Sequence, residues 1–83
     1  MAFYTYILQS EKDGSFYIGS SSDPEERLLK HNRNHQGYTA RKQPWRLVWK
    51  EVHDDKSSAI KREKFLKKQK SRSYLEDLIS KSK

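Results

Sequence analysis

In "SDPEERLLKHN", Arg27 and His31 stand four residues apart, so a helix there stacks a guanidinium and an imidazole on one face. Tyr4, Tyr6 and Tyr17 lie just upstream in "FYTYIL" and "SFYIGS", runs rich in β-branched and aromatic residues. A phenol titrates near ~10 and works as a base at neutral pH only with help, which a neighbouring Arg or Lys gives by favouring the phenolate. The sharpest anomaly is in "SSAIKREKFLKKQK". Helical spacing sets Ala59, Ile60, Glu63 and Leu66 on one arc, so a carboxylate falls inside the apolar face. Acids are almost never fully buried unless paired, and an isolated buried charge neutralises instead. Glu63 therefore needs a cation: an arginine, a lysine such as Lys67, or a metal ion. It is also the only acid among the eight basic residues from Lys56 to Arg72.

These groups need elements to hold them. Phe3–Leu8 and Ser15–Ser20 read as two strands of a hairpin turning at Asp13-Gly14. Asp23 as N-cap, Pro24 in the first helical position and Glu26 at the third predict a helix from Pro24 to about Asn34. "NHQGYTARKQPW" reads as an irregular connection, and "RLVWKEV" (Arg46–Val52) alternates as a third strand. A helix capped by serines then runs to about Lys70, and Ser73 with Glu76 opens a last one through Ile79, leaving residues 79–83 as a frayed tail. The expectation is an α+β chain, residues 1–83 as one domain: a three-stranded antiparallel sheet flanked by helices in the order ββ-α-β-α-α.

With 83 residues the chain is near the size at which stability is thin, so a ligand should sit in an open groove beside the core. Eighteen Lys and Arg against eleven acids give a formal charge of +7. That field suits a polyanion, with nucleic acid the first candidate. The absence of cysteine excludes disulfides and thiolate metal sites and points to a reducing, cytoplasmic setting. No apolar run approaches the ~18 residues of a membrane span, and the N-terminus lacks the layout of a secretion signal.

Taken in order, Tyr6, the literal "YIG" at Tyr17–Gly19, the helix with Arg27 and His31, "YTARKQPWRLVW" and the segment around Glu63 resemble the GIY-YIG nuclease superfamily. The likeness is strongest to its small stand-alone members, compact versions of the catalytic domain found at the N-terminus of a DNA-repair excinuclease and in homing endonucleases. The resemblance extends to about Leu78. It departs at the first triplet, which is Tyr4-Thr5-Tyr6, and at a late asparagine of many members, for which Gln69 is the nearest amide here.

What the resemblance implies is a metal-dependent endonuclease acting on nucleic acid, DNA ahead of RNA, structure-selective or weakly sequence-selective, of the kind used in DNA repair. Tyr6, Tyr17, Arg27, His31 and Glu63 would be catalytic, with Glu63 holding one Mg²⁺ or Mn²⁺. A lone carboxylate suits an ion that keeps several waters, and a two-metal site would want more acids. Arg27 would grip a non-bridging phosphate oxygen, one tyrosine would take the proton of the attacking water, and His31 would orient or relay. Gly19 would let backbone approach phosphate, and Arg41, Lys61, Lys64, Lys67, Lys68 and Lys70 would bind the nucleic-acid backbone. A protein partner or a homodimer could add specificity. Two rival readings are a basic nucleic-acid-binding module on the same fold without hydrolysis, and a protein-interaction domain using Trp45, Trp49 and Phe65.

Overall fold

Alternation of side chains across a strand sends one set of residues to each face of a sheet, and here both faces are covered. The computed structural model describes residues 2–33, 37–69 and 71–81. β1 (Phe3–Ser10) is central, with β2 (Phe16–Ser21) antiparallel on one side and β3 (Trp45–His53) antiparallel on the other. The hairpin turns where expected: Ser15 N–H donates to the Asp13 carboxylate at 2.9 Å, and Gly14 takes a φ of 79°, which glycine adopts without strain.

Register sorts the residues. Tyr6 sits opposite Gly19 and Lys50, and Leu8 opposite Tyr17 and Leu47. These share a face, where Tyr6, Leu8 and Trp45 form a buried cluster with Tyr17, Leu28 and Leu47 against it. Thr5 opposite Ser20 and Glu51, and Ile7 opposite Ile18 and Trp49, point the other way. There Ile7, Ile18, Trp49, Leu66 and Leu75 make the second cluster. Burial of each large apolar side chain contributes ~1.5–3 kcal/mol.

α1 (Pro24–His31) covers the first face. The Asp23 carboxylate accepts the Glu26 N–H at 3.1 Å, as the sequence predicts for an N-cap, and Glu25 reaches Lys50 of β3 at 2.7 Å. The helix stops at His31, short of the expected Asn34, which lies outside the described residues. The cause is tertiary. The Asn32 amide is committed to the backbone of Trp45, donating to its carbonyl at 2.9 Å and accepting its N–H at 2.6 Å.

α2 (Tyr38–Arg41) is a single turn within the segment read as irregular, closed by a backbone bond from Arg41 N–H to the Gly37 carbonyl. α3 (Lys56–Gln69) and α4 (Arg72–Lys81) cover the second face. The cap of α3 is Asp55, whose carboxylate accepts the Ser58 N–H at 2.8 Å, rather than a serine. Ala59 is fully buried, and its small side chain lets α3 come close enough for Thr5 Oγ1 to donate to the Ala59 carbonyl at 2.7 Å. α4 begins at Arg72, one residue before the expected Ser73, with Ser71 Oγ accepting the Tyr74 N–H at 3.2 Å, and continues through Lys81 instead of ending at Ile79. With the single turn of α2 set aside, the order is the expected ββ-α-β-α-α.

Candidate active site

The free edge of β2 is where the two faces of the sheet meet, and the candidate residues gather around it from both. On the α1 face, the His31 ring lies 4.5 Å from the Tyr17 ring, centroid to centroid, tilted by 59°, and 6.1 Å from Trp45. The Asn32 clamp on Trp45 holds the end of α1 at this distance. Gln43 adds to it by donating to the His31 carbonyl at 2.5 Å. One turn earlier on the same helix face stands Arg27, exposed to solvent, and among the described residues it takes part in no ion pair.

Tyr6 is only 2% exposed, and its phenol lies across the neighbouring strand directly over Gly19. A Cβ on Gly19 would fall 2.6 Å from Tyr6 Oη and 2.8 Å from Cζ, far inside contact distance. Gly19 is therefore buried in mid-strand beneath a phenol. In this structure the missing side chain admits the Tyr6 ring. Burial pushes that phenol up to about 12, the Tyr17 phenol adds to the rise, Arg27 opposes it and Glu63 adds again. Groups from α1 and α3 thus act on one hydroxyl.

Glu63 comes from the opposite face. Its side chain is 19% exposed; Oε1 accepts from Ser20 Oγ of β2 at 2.7 Å, and Oε2 accepts from Lys67 Nζ at 2.7 Å. Burial works to raise its pKa. The hydrogen bonds of Lys67 and Ser20, with the charges of Lys67 and Lys64, outweigh it and leave the carboxyl below its usual range. The carboxylate placed on an apolar arc by sequence is thus ionised and held at the rim of the core, its cation supplied by Lys67.

The basic residues divide. Lys67 is bonded to Glu63, while helical spacing turns Lys61, Lys64 and Lys68 toward the outer face, away from Ala59 and Leu66, so that Lys64 acts on Glu63 through its charge alone. Arg41 is exposed on α2. Lys70 lies outside the described residues.

The GIY-YIG catalytic domain family model matches residues 2–75, a span that holds Tyr6, Tyr17, Arg27, His31 and Glu63. This chain belongs to the GIY-YIG family. Among its relatives, the UPF0213 protein of Staphylococcus saprophyticus is 50% identical over 62 residues, 72% of this chain and 73% of the relative. A UPF0213 protein of Staphylococcus aureus is 44% identical over the same shares. The solution NMR structure of the UPF0213 protein BH0048 from Bacillus halodurans superposes with a TM-score of 0.57 at 33% identity, covering 96% of this chain and 84% of that one.

The family is of nuclease type, which raises the question of whether the donor set of this GIY-YIG chain fits a divalent ion. Among the described residues no group of three or more His, Cys, Asp or Glu could cage a metal. What the chain offers is one ionised, partly exposed carboxylate that already holds a cation. That fits a hard ion taking one protein oxygen and keeping waters and phosphate oxygens for the rest.

Two residues of this GIY-YIG site are not among those the sequence singles out. Ser20 directs Glu63, and its position one residue after Gly19, on the opposite face of β2, was the available signal. Asn32 positions His31 through a bond to a strand that no local pattern foretells.

Proposed function

We propose that the chain is a metal-dependent endonuclease that hydrolyses phosphodiester bonds, DNA ahead of RNA, with catalysis at the free edge of β2. The observation that carries this reading is the match of residues 2–75 to the GIY-YIG catalytic domain, whose candidate residues this fold sets on both faces beside β2, with Glu63 held by Ser20 and Arg27 exposed on α1.

Arg27, free of carboxylate partners among the described residues, grips a non-bridging oxygen of the scissile phosphate with its planar donor fork. Glu63 is the group that would hold Mg²⁺ or Mn²⁺, and the ion when bound offsets charge on the phosphate oxygens. Tyr6, its phenol held protonated by burial, donates a hydrogen bond and is unsuited to be the base. That leaves Tyr17, less buried and in contact with the His31 ring, to take the proton of the attacking water. The imidazole orients Tyr17 and passes the proton on. The water oxygen bonds to phosphorus as one ester P–O bond breaks, and the leaving oxygen is protonated from solvent. A homodimer or a protein partner adding specificity belongs to the same proposal.

The test is cleavage of labelled single-stranded, duplex, flap and branched DNA and of RNA with Mg²⁺ or Mn²⁺, comparing wild type with Glu63→Ala and Arg27→Ala. Metal-dependent cutting that falls on the order of 10²–10³-fold in folded Arg27→Ala and vanishes in Glu63→Ala is the expected result. Binding without cutting, equal in wild type and Glu63→Ala, would overturn it in favour of a basic binding module.

A further inference from the structure

A groove of about 400 Å³ runs between β2 and the α3–α4 junction, on the face of the sheet that carries Glu63. It is as large as many small-ligand sites. The β2 residues Phe16, Tyr17 and Ile18 line its strand side, with the Phe16 ring on this face of the sheet, Leu66 and Leu75 form its apolar floor, and Lys67 and Arg72 its helical rim; no carboxylate lines it. The groove joins the site already described through Lys67, which is bonded to Glu63, while Tyr17 turns its ring to the other face of the sheet, against His31. α3 runs antiparallel along β2, with Glu63 opposite Ser20 and Leu66 and Lys67 beside Tyr17 and Ile18. At ~3.3 Å per strand residue, the groove begins at Ile18, roughly 7 Å from the Glu63–Ser20 contact.

We propose that this groove is a nucleobase subsite, taking one unpaired base of the strand whose phosphate is at Arg27 and Glu63. The inference rests on the nuclease reading for its ligand class but on its own observations for the site. An aromatic wall, an apolar floor and a cationic rim match a nucleotide, which has a flat π-face and a phosphate. Arg72 strengthens the match. Its guanidinium lies 4.8 Å from the centre of the Phe16 ring and is held there by a bond to the Gly14 carbonyl at 2.9 Å, so that a planar cation and an aromatic ring border the groove together. A base inside a duplex cannot leave its partner to enter the groove without loss of pairing. The subsite therefore selects a nucleic acid with a single-stranded nucleotide next to the scissile phosphate.

The experiment uses the whole chain without divalent ion, so that nothing is cut. Affinities for a short oligothymidylate and for the same backbone with abasic sugars are measured by fluorescence anisotropy, and amide shifts are followed by NMR, in wild type, Phe16→Leu and Arg72→Gln. Wild type should bind the base-bearing strand about 5- to 10-fold more tightly than the abasic one, with shifts at Phe16–Ile18 and Leu75, and both variants should lose most of that difference. Arg72→Gln, a surface change, keeps the test valid if Phe16→Leu folds poorly. Equal affinity for both strands, or a preference that survives in both variants, overturns the subsite. Cleavage lost in Glu63→Ala together with equal affinities would leave the nuclease standing without the groove; base-dependent binding without cleavage would leave the groove standing without the nuclease.

Discussion

Lys67 and Glu63 hold each other at 2.7 Å, so a divalent ion at Glu63 competes with an ammonium. The lysine is half exposed and such pairs are worth only ~0.2–1 kcal/mol, so Lys67→Met should tighten Mn²⁺ binding by no more than about fivefold, read from paramagnetic broadening of amides around Glu63. Glu63→Gln should abolish that broadening. Tyr6 gives a pH prediction. Its folded pKa is raised to about 12 from an ordinary ~10, chiefly by burial, so its contribution to stability is full below pH ~10 and is lost as pH rises through about 12. Ultraviolet titration should show one late-ionising phenol that Tyr6→Phe removes. Glu63 behaves oppositely: its lowered pKa makes its contribution full above ~4.3 and progressively lost in more acid solution. At this scale sequence spacing is informative about Arg27, His31 and Glu63, because helical periodicity puts each on a definite face. It can say nothing of the Ser20 bond to Glu63 or the Asn32 bond to Trp45, which join residues 43 and 13 positions apart.

Two contacts between elements decide whether α3 and β1 present the site correctly. Gly19→Ala would drive a methyl into a phenol that has nowhere to go, since Tyr6 is 2% exposed. It should destabilise the fold by ~1–3 kcal/mol, visible as a lowered denaturation midpoint, and impair any activity beyond its effect on folding. Thr5→Val removes the only side-chain bond from the central strand to the Ala59 carbonyl among the described residues, and should cost about 1 kcal/mol, lowering Tm by roughly 4–8 °C. The strands are legible because alternation is a local signal, and α1 because its cap and proline are adjacent in sequence. The end of α1, the single turn of α2 and the Asp55 cap of α3 are not. Asn32 stops α1 by reaching another strand, α2 is closed by a backbone bond to Gly37, and Asp55 competes with two serines for the same cap.

The whole molecule carries a formal +7, and Lys61, Lys64 and Lys68 share the outer face of α3. If they track a nucleic-acid backbone, changing all three to Gln should flatten the dependence of log affinity on log salt by roughly 2 for a single strand, at ~0.7 per charge, without altering base preference. A slope unchanged in the triple variant would place the backbone elsewhere. The fold class and the polyanion expectation follow from pattern and composition. The groove beside β2 does not, because it is made where a strand and a helix junction diverge, and no run of residues announces such a gap.

β2 has a further consequence for a chain of this size. A three-stranded sheet of order β2-β1-β3 ends in two strands with unpaired backbone groups, and an uncovered strand is a template on which another copy can add its own. Along β2 that template is guarded by the ionised Glu63, by Lys67 and by Arg72, each bonded to or lining the strand and its turn. Charged side chains are the usual means by which proteins keep sheet edges from joining. Glu63, Lys67 and Arg72 therefore also work against the pairing of this edge with another copy, and neutralising them together should lower solubility.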